Sequence, residues 1–427
     1  MPDLKSTIFN AGWLVSDRII RLVLNFIAGI LIARSLGPED FGMLSYGQAL
    51  IFLFTPIATV GLPEIIVREL SKRSRPEQTD ERKEIISSAL AVRLVSAFFT
   101  IALMTAMALV VKNDNPIAMI IIIFYSLSMA PQSLDVIESA LQSEGIFKIV
   151  SVARSINSVV FATARIVSVF LQADVIWFVI LYGLEVLVFG GFYLIIARRV
   201  DMLPAFKLVR YARMRELVVS SLPLMLRLLA IAVYMRIDQI MVEAMLGTKQ
   251  LGVYSVAVRL SELWYFVPMA IMSAALPRLT RSYEGGIEAY TTELRYWMRI
   301  MMMIALPTAI ALSLMSNLVV DILFGDAYAE AGPLLSVQAW SGIFVAIGVA
   351  TSPWFINTGQ LRFGLYQAGI GAIACVALNL LLIPQFGMLG ASFGMVISQA
   401  ISAVLCNALF HQTRSVFRMQ IKAMLLK

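Results

Sequence analysis

The chain has 427 residues, of which 59% are hydrophobic and only 14% charged, with a mean hydropathy of +0.83. Soluble domains average about 25% charged residues, so a water-soluble fold is excluded and a polytopic membrane protein is implied. The net charge of +7 does not signal nucleic acid, because the basic residues follow a membrane topology and leave no soluble basic surface.

A membrane span needs about 20 mostly apolar residues. Twelve segments qualify: 8–33, 43–66, 85–111, 116–140, 149–171, 175–197, 217–246, 252–276, 297–324, 333–356, 364–384 and 388–410. Asp17, Arg18 and Arg21 interrupt the first, and no small-residue cleavage site follows it, so it reads as a retained helix and not a signal peptide. On that helix Arg18, Arg21 and Asn25 stand at i, i+3 and i+7, one face. The second carries Pro56 and Pro63, and the third Arg93. The fourth presents Gln132, Asp135, Ser139 and Gln142 on one stripe beside Pro131. Arg154, Asn157, Ser158 and Arg165 share a face of the fifth, and Glu185 lies in the sixth. The seventh aligns Arg227, Tyr234 and Asp238 and also holds Arg236 and Glu243; the eighth holds Arg259 and Glu262. The last three segments contain no charged residue.

Orientation follows from the loops, since Lys and Arg accumulate on the cytoplasmic side. Apart from the eight arginines deep in the spans, 23 basic residues, with Arg299 at the edge of the ninth segment among them, fall on one side and only Arg34, Lys112 and Lys249 on the other. Both termini and the loops 67–84, 198–216 and 277–296 are therefore expected in the cytoplasm.

The chain also repeats itself. At an offset of 210 residues, Leu36-Gly37 aligns with Leu246-Gly247, Gly42 with Gly252, Ser45 with Ser255 and Leu50 with Leu260. Gly37 and Gly247 are expected to end a helix in a left-handed cap, and Gly42 and Gly252 to permit close packing where the next begins. Six spans separate the copies, so the halves share orientation about an axis along the membrane normal. The expected fold is an all-α polytopic membrane protein with 12 transmembrane helices in two parallel six-helix lobes around a central cavity. Residues 1–197 form the N-lobe, 198–216 a cytoplasmic linker and 217–427 the C-lobe.

Several chemistries are missing from the sequence. Cys375 and Cys406 lie in apolar spans, and the single histidine, His411, has no nucleophile or carboxylate constellation around it. No Walker-type phosphate loop occurs, and no cofactor, metal site or catalytic residue is expected. What stands out is a set of eight arginines, and no lysine, at bilayer depth: Arg18, Arg21, Arg93, Arg154, Arg165, Arg227, Arg236 and Arg259. Such charges are costly there and mark functional sites or buried pairs. Guanidinium stays charged and presents a rigid fork of donors suited to phosphate oxygens. Seven carboxylates share that depth: Asp17, Asp135, Glu138, Glu185, Asp238, Glu243 and Glu262. A second role, ion pairs tying helices together, stays open at this point; Asp17–Arg21 and Arg259–Glu262 have suitable helical spacing. Asp135, Glu185 and Asp238 are the candidates for ion coupling by depth.

The stretch ARSLGPEDFGMLSYGQAL at 33–50 resembles the turn after the first helix in Wzx-type polysaccharide flippases. These belong to the multidrug/oligosaccharidyl-lipid/polysaccharide exporter superfamily. Pro277-Arg278-Leu279, Asn379-Leu380-Leu381-Leu382-Ile383-Pro384 and Gly387-Met388-Leu389-Gly390-Ala391 resemble it too. The resemblance implies transport of a polyprenyl-pyrophosphate-linked oligosaccharide, such as an O-antigen unit, to the outer leaflet of a prokaryotic inner membrane. It also implies membrane lipids and other polysaccharide assembly proteins as partners. Arg18, Arg21, Asn25, Arg93, Arg154, Arg165, Arg227, Arg236 and Arg259 would then bind the anionic headgroup. Two other readings are a multidrug or metabolite exporter of the same superfamily, and a membrane glycan polymerase or ligase, which would need larger outer loops.

Overall fold

The computed structural model describes residues 4–73, 79–112 and 115–425, with side chains from position 21 onward except 111, 147, 148 and 361. Every regular element among the described residues is helical. The helices are α1 (Leu4–Thr59), α2 (Leu62–Ser71), α3 (Thr79–Val111), α4 (Pro116–Leu127), α5 (Met129–Gln132), α6 (Asp135–Ser143), α7 (Phe147–Phe170), α8 (Val175–Arg199) and α9 (Tyr211–Leu246). They continue with α10 (Thr248–Glu262), α11 (Phe266–Glu284), α12 (Ile287–Phe324), α13 (Ala331–Gln338), α14 (Ser341–Asn357), α15 (Leu361–Phe386), α16 (Met388–Ala400), α17 (Cys406–Leu409) and α18 (Arg414–Met424).

Eleven helical stretches among the described residues are long and apolar enough to cross a membrane. The difference from twelve lies at the start, where the first two expected segments run into one element. The stretch Arg21–Ser71 has 51 residues, or about 76 Å at helical rise, more than twice a hydrocarbon core of about 30 Å. Within it α1 is two helices that meet at Gly37 (φ 73, ψ 174), and α2 follows after Gly61. Gly247, its counterpart in the repeat, joins α9 to α10 with nearly the same backbone (φ 100, ψ 172). Positive φ was expected at both. The extended ψ differs from a left-handed cap because each glycine also opens the following helix, and an N-cap needs extended ψ. The expected fourth span is broken into α4, α5 and α6, with Pro131 inside the shortest piece.

The chain forms two compact units. Unit 1 comprises 1–36 and 47–229, and unit 2 comprises 37–46 and 230–427. Unit 1 packs the aliphatic faces of α2 and α3, including Ile65, Ile66, Ile85, Ile86 and Leu90, against Val136 and Ala140 of α6. Unit 2 is centred on α12, whose Met298, Met301, Met302 and Ala305 pack with Trp354 and Ile347 of α14. In α18 one face, with Val416, Met419, Gln420 and Ala423, is buried, leaving Arg414, Arg418 and Lys422 exposed on the other.

The repeat glycines meet inside unit 2. A Cβ on Gly42 would lie 2.0 Å from the Thr248 carbonyl oxygen, and one on Gly252 would lie 1.9 Å from that of Pro38. Pro38 and Thr248 are themselves equivalent in the repeat, so the contact is reciprocal. Gly42→Ala and Gly252→Ala are each expected to lose about 1–3 kcal/mol of stability, the usual effect of overpacking. Thermal unfolding in detergent would measure this. Gly369→Ala, with no atom near the added Cβ, should be close to neutral, and equal effects at all three would contradict the packing account.

Candidate functional site

In unit 1, three arginines are fixed by carboxylates. Arg93 of α3 is completely buried. Its Nε and Nη2 donate to both Asp135 oxygens at 3.0 and 2.7 Å, Nη2 also donates to the Gln132 carbonyl at 3.3 Å, and Nη1 donates to the Ala58 carbonyl. One guanidinium thus ties α1, α3, α5 and α6 together. The Arg93 side chain is thus enclosed and its fork occupied by these acceptors.

Arg154 of α7 and the Tyr193 hydroxyl of α8 both donate to Glu138, and Gln142 Nε2 adds a bond of 3.0 Å to the same carboxylate. The Arg154 guanidinium lies over the Phe189 ring, 5.4 Å from its centroid. Arg165 pairs with Glu185 and donates from Nη1 to Asn25 Oδ1 at 3.3 Å; Asn25 Nδ2 in turn donates to Ser158 at 3.2 Å. Asn157 donates to the Glu185 carbonyl at 3.2 Å. The structure therefore brings Asn25, Ser158, Arg165 and Glu185 together, joining α1, α7 and α8. Arg21 stands one helical turn from Asn25, whose Nδ2 also reaches the Arg21 carbonyl at 2.9 Å, and the Arg21 charge acts on Tyr193. The side chains of Arg18 and Asp17 lie outside the described residues.

Arg227 differs from these. It is half-buried on α9, four residues after Pro223, and has neither a hydrogen bond nor a carboxylate partner among the described residues.

In unit 2, Arg236 forms a two-pronged pair with Glu262 at 2.6 and 2.8 Å. Glu262 takes the fork from α9, while Arg259 lies over the Phe41 ring at 4.7 Å. Asp238 is 1% exposed and accepts from the Tyr254 hydroxyl at 2.6 Å and the Gln239 N–H at 2.8 Å. No ion pair among the described residues includes it. Tyr193 and Tyr254, the phenols holding Glu138 and Asp238, were not singled out from the sequence. Their rings count as apolar in a hydropathy reading, and only the hydroxyl contact shows their role.

The two units carry opposite interior charge. Of the span arginines and carboxylates named above, six and four precede residue 230, whereas two and three follow it. Unit 1 thus has a cation surplus suited to an anionic ligand, with Arg227 its clearest uncommitted donor. Unit 2 has an anion surplus suited to a small cation or a proton. Among the described residues no group of three His, Cys, Asp or Glu could hold a metal ion.

Comparison with known proteins agrees with a transporter fold. The family signature described as polysaccharide biosynthesis protein matches residues 8–283, and the MatE signature matches 223–381. The capsular polysaccharide biosynthesis protein CapF of Staphylococcus aureus is 23% identical over 195 residues, 45% of this chain and 49% of CapF. The chain thus spans about half the length of CapF. A Shigella flexneri protein named "Putative O-antigen transporter" is 23% identical over 438 aligned positions, covering 98% of this chain and all of that protein. Among solved structures, the lipid II flippase MurJ in an inward closed conformation superposes with a TM-score of 0.74 at 12% identity, covering 97% of this chain and 91% of MurJ. An inward-facing multidrug resistance MATE family transporter superposes equally well, at 16% identity with 94% and 96% covered.

Proposed function

The chain belongs to the polysaccharide biosynthesis protein family, within the multidrug/oligosaccharidyl-lipid/polysaccharide exporter superfamily, and from this premise we propose that it is a flippase for a polyprenyl-pyrophosphate-linked oligosaccharide. The glycolipid passes from the cytoplasmic to the outer leaflet of a prokaryotic inner membrane by alternating access. Family and fold go with transport and not with catalysis. In this reading the element Arg21–Ser71 supplies two crossings, giving twelve in all, and the basic loops keep both termini cytoplasmic.

The observation that carries the proposal is Arg227: a half-buried cation in an apolar span, without a carboxylate, inside a unit already rich in arginine. A charge so placed needs a counter-ion, and a pyrophosphate supplies one with oxygens matched to the guanidinium fork. Arg18, Arg21, Asn25, Arg154 and Arg165 are the further headgroup contacts on that side. Arg154 and Arg165 would share their forks between carboxylate and ligand. Arg236 and Arg259, the other two arginines expected to bind the headgroup, lie in unit 2.

The test is a proteoliposome assay in which an added glycosidase reaches only the outer-facing glycan. Protein-dependent exposure of polyprenyl-pyrophosphate glycan is expected. Exposure no faster than in protein-free vesicles would refute the proposal. A second reading, a multidrug exporter, draws on the MatE match and the MATE superposition. It predicts efflux of a cationic dye instead, which the arginine-rich interior of unit 1 disfavours.

Coupling is assigned to Asp238. Of the three candidate carboxylates, Asp135 and Glu185 are neutralised by Arg93 and Arg165, whereas Asp238 is held only by neutral donors. Asp238→Asn keeps those donors within reach and removes the charge. The variant is expected to transport at a rate that no longer responds to an imposed proton or sodium gradient. An unchanged response would eliminate Asp238 as the coupling group.

A further inference from the structure

Unit 1 carries a groove of about 480 Å³ formed by α3 and the first turns of α9. Its volume falls within the roughly 300–1,000 Å³ typical of ligand pockets. Its walls are Val92, Val95 and Phe99 on one side and Val219 on the other, with Tyr211 and Arg215 at one end. Val95, Phe99 and Val219 are each more than 60% exposed, so nothing among the described residues covers this part of the apolar wall. From Tyr211 to Val219 the helix rises about 12 Å, most of the roughly 15 Å depth of one leaflet. The Ser96 hydroxyl, the polar group midway along, is turned inward and donates to the Ala58 carbonyl at 2.6 Å. The groove therefore presents a hydrocarbon-lined channel with nothing to satisfy a polar chain.

The end of the groove has the opposite character. Tyr211 and Arg215 lie within the basic segment 198–216. Arg210 and Arg213 are engaged by Glu84, and Arg213 also by Glu216. Arg215 is exposed and has no carboxylate partner among the described residues. A cation and a phenol thus stand where a headgroup would lie if an alkyl chain filled the channel. Anionic headgroups attract interfacial Lys and Arg, and a tyrosine at the interface offers its hydroxyl to the same groups.

We infer that this groove is a binding site for an anionic phospholipid of the leaflet bordering segment 198–216, with its phosphate on Arg215 and Tyr211 and one acyl chain between α3 and α9. Beyond a surrounding bilayer the inference needs nothing of the cargo assignment, and it can fail or stand independently of it.

The experiment uses the full-length protein in detergent, with retained lipid counted by native mass spectrometry. Phosphatidylglycerol, phosphatidylcholine of the same chains and a polyprenyl pyrophosphate are titrated separately. The wild type is expected to retain phosphatidylglycerol about five-fold better than phosphatidylcholine, the scale of one basic side chain at an anionic headgroup. Arg215→Gln should abolish that preference. Val95→Trp, which fills the channel from an exposed position, should weaken retention of both phospholipids. Val219→Trp does the same from the opposite wall should the first variant fold poorly. Equal retention of the two phospholipids by the wild type would overturn the inference, as would an unchanged preference in Arg215→Gln. A polyprenyl pyrophosphate lost on Arg215→Gln and displaced by neither phospholipid would assign the groove to the substrate and overturn it as well.

Discussion

Replacing Arg227 by glutamine is expected to lower glycolipid transport by roughly ten- to a hundredfold while leaving the protein as stable as before or more so. The size follows from the 1.5–3 kcal/mol, approximately, of a hydrogen bond to a charged group, at about 1.4 kcal/mol per tenfold. The direction of the stability change follows from the surroundings of Arg227. No carboxylate among the described residues compensates its charge, so neutralising it strands no partner and removes a desolvated cation. Arg227→Lys keeps the charge but loses the planar fork, and transport between that of the wild type and that of the glutamine variant is expected. Initial rates in proteoliposomes, normalised to folded protein, would check both. If Arg227→Gln transported at the wild-type rate, the headgroup would have to be held elsewhere.

The opposite pattern is expected at Arg93. Arg93→Met should destabilise the protein by about 3–5 kcal/mol, the usual loss when one partner of a buried pair is removed. The Asp135 carboxylate and the Gln132 carbonyl would lose the Arg93 donors, while the Ala58 carbonyl would keep the Ser96 hydroxyl. Adding Asp135→Leu removes the stranded charge, and the double variant should recover most of the loss. Transport per folded molecule should change little in the double variant, since neither group faces a ligand. Thermal unfolding of the single and double variants in detergent provides the measurement. Additive losses would show that the two side chains do not act as a pair.

Arg227 and Arg93 are indistinguishable in the sequence. Each lies in an apolar run, and each resembles a ligand contact because the cost of burial is the same. What separates them is distant in the chain. Asp135 is 42 residues from Arg93, and only the break of the fourth span at α5 brings it there. The same limit explains Glu262, which takes the fork of Arg236, 26 residues away. Helical spacing states which partners are possible on one helix and says nothing about a better fork presented from the next. Hydropathy made the spans legible because apolar length is a local property. The junction between the first two was legible as well, at Gly37, where the backbone leaves the helix with φ 73 and ψ 174. The repeat carried further. Gly37 with Gly247 and Gly42 with Gly252 were legible as pairs because a backbone that excludes a Cβ leaves its mark on residue type. The amphipathic helix α18 lies beyond the last expected span and was not singled out from the sequence, although Val416, Met419, Gln420 and Ala423 already lay at helical spacing.

Direct binding of the headgroup tests the central claim most closely. Wild-type protein and Arg227→Gln in lipid nanodiscs would be titrated with a polyprenyl pyrophosphate and with the corresponding polyprenol, which has the same tail and no charge. The account predicts saturable retention of the pyrophosphate by the wild type, at least tenfold weaker retention by Arg227→Gln, and no saturable binding of the polyprenol to either. Equal retention of the pyrophosphate by both proteins, or binding of the polyprenol as tight as that of the pyrophosphate, would contradict it.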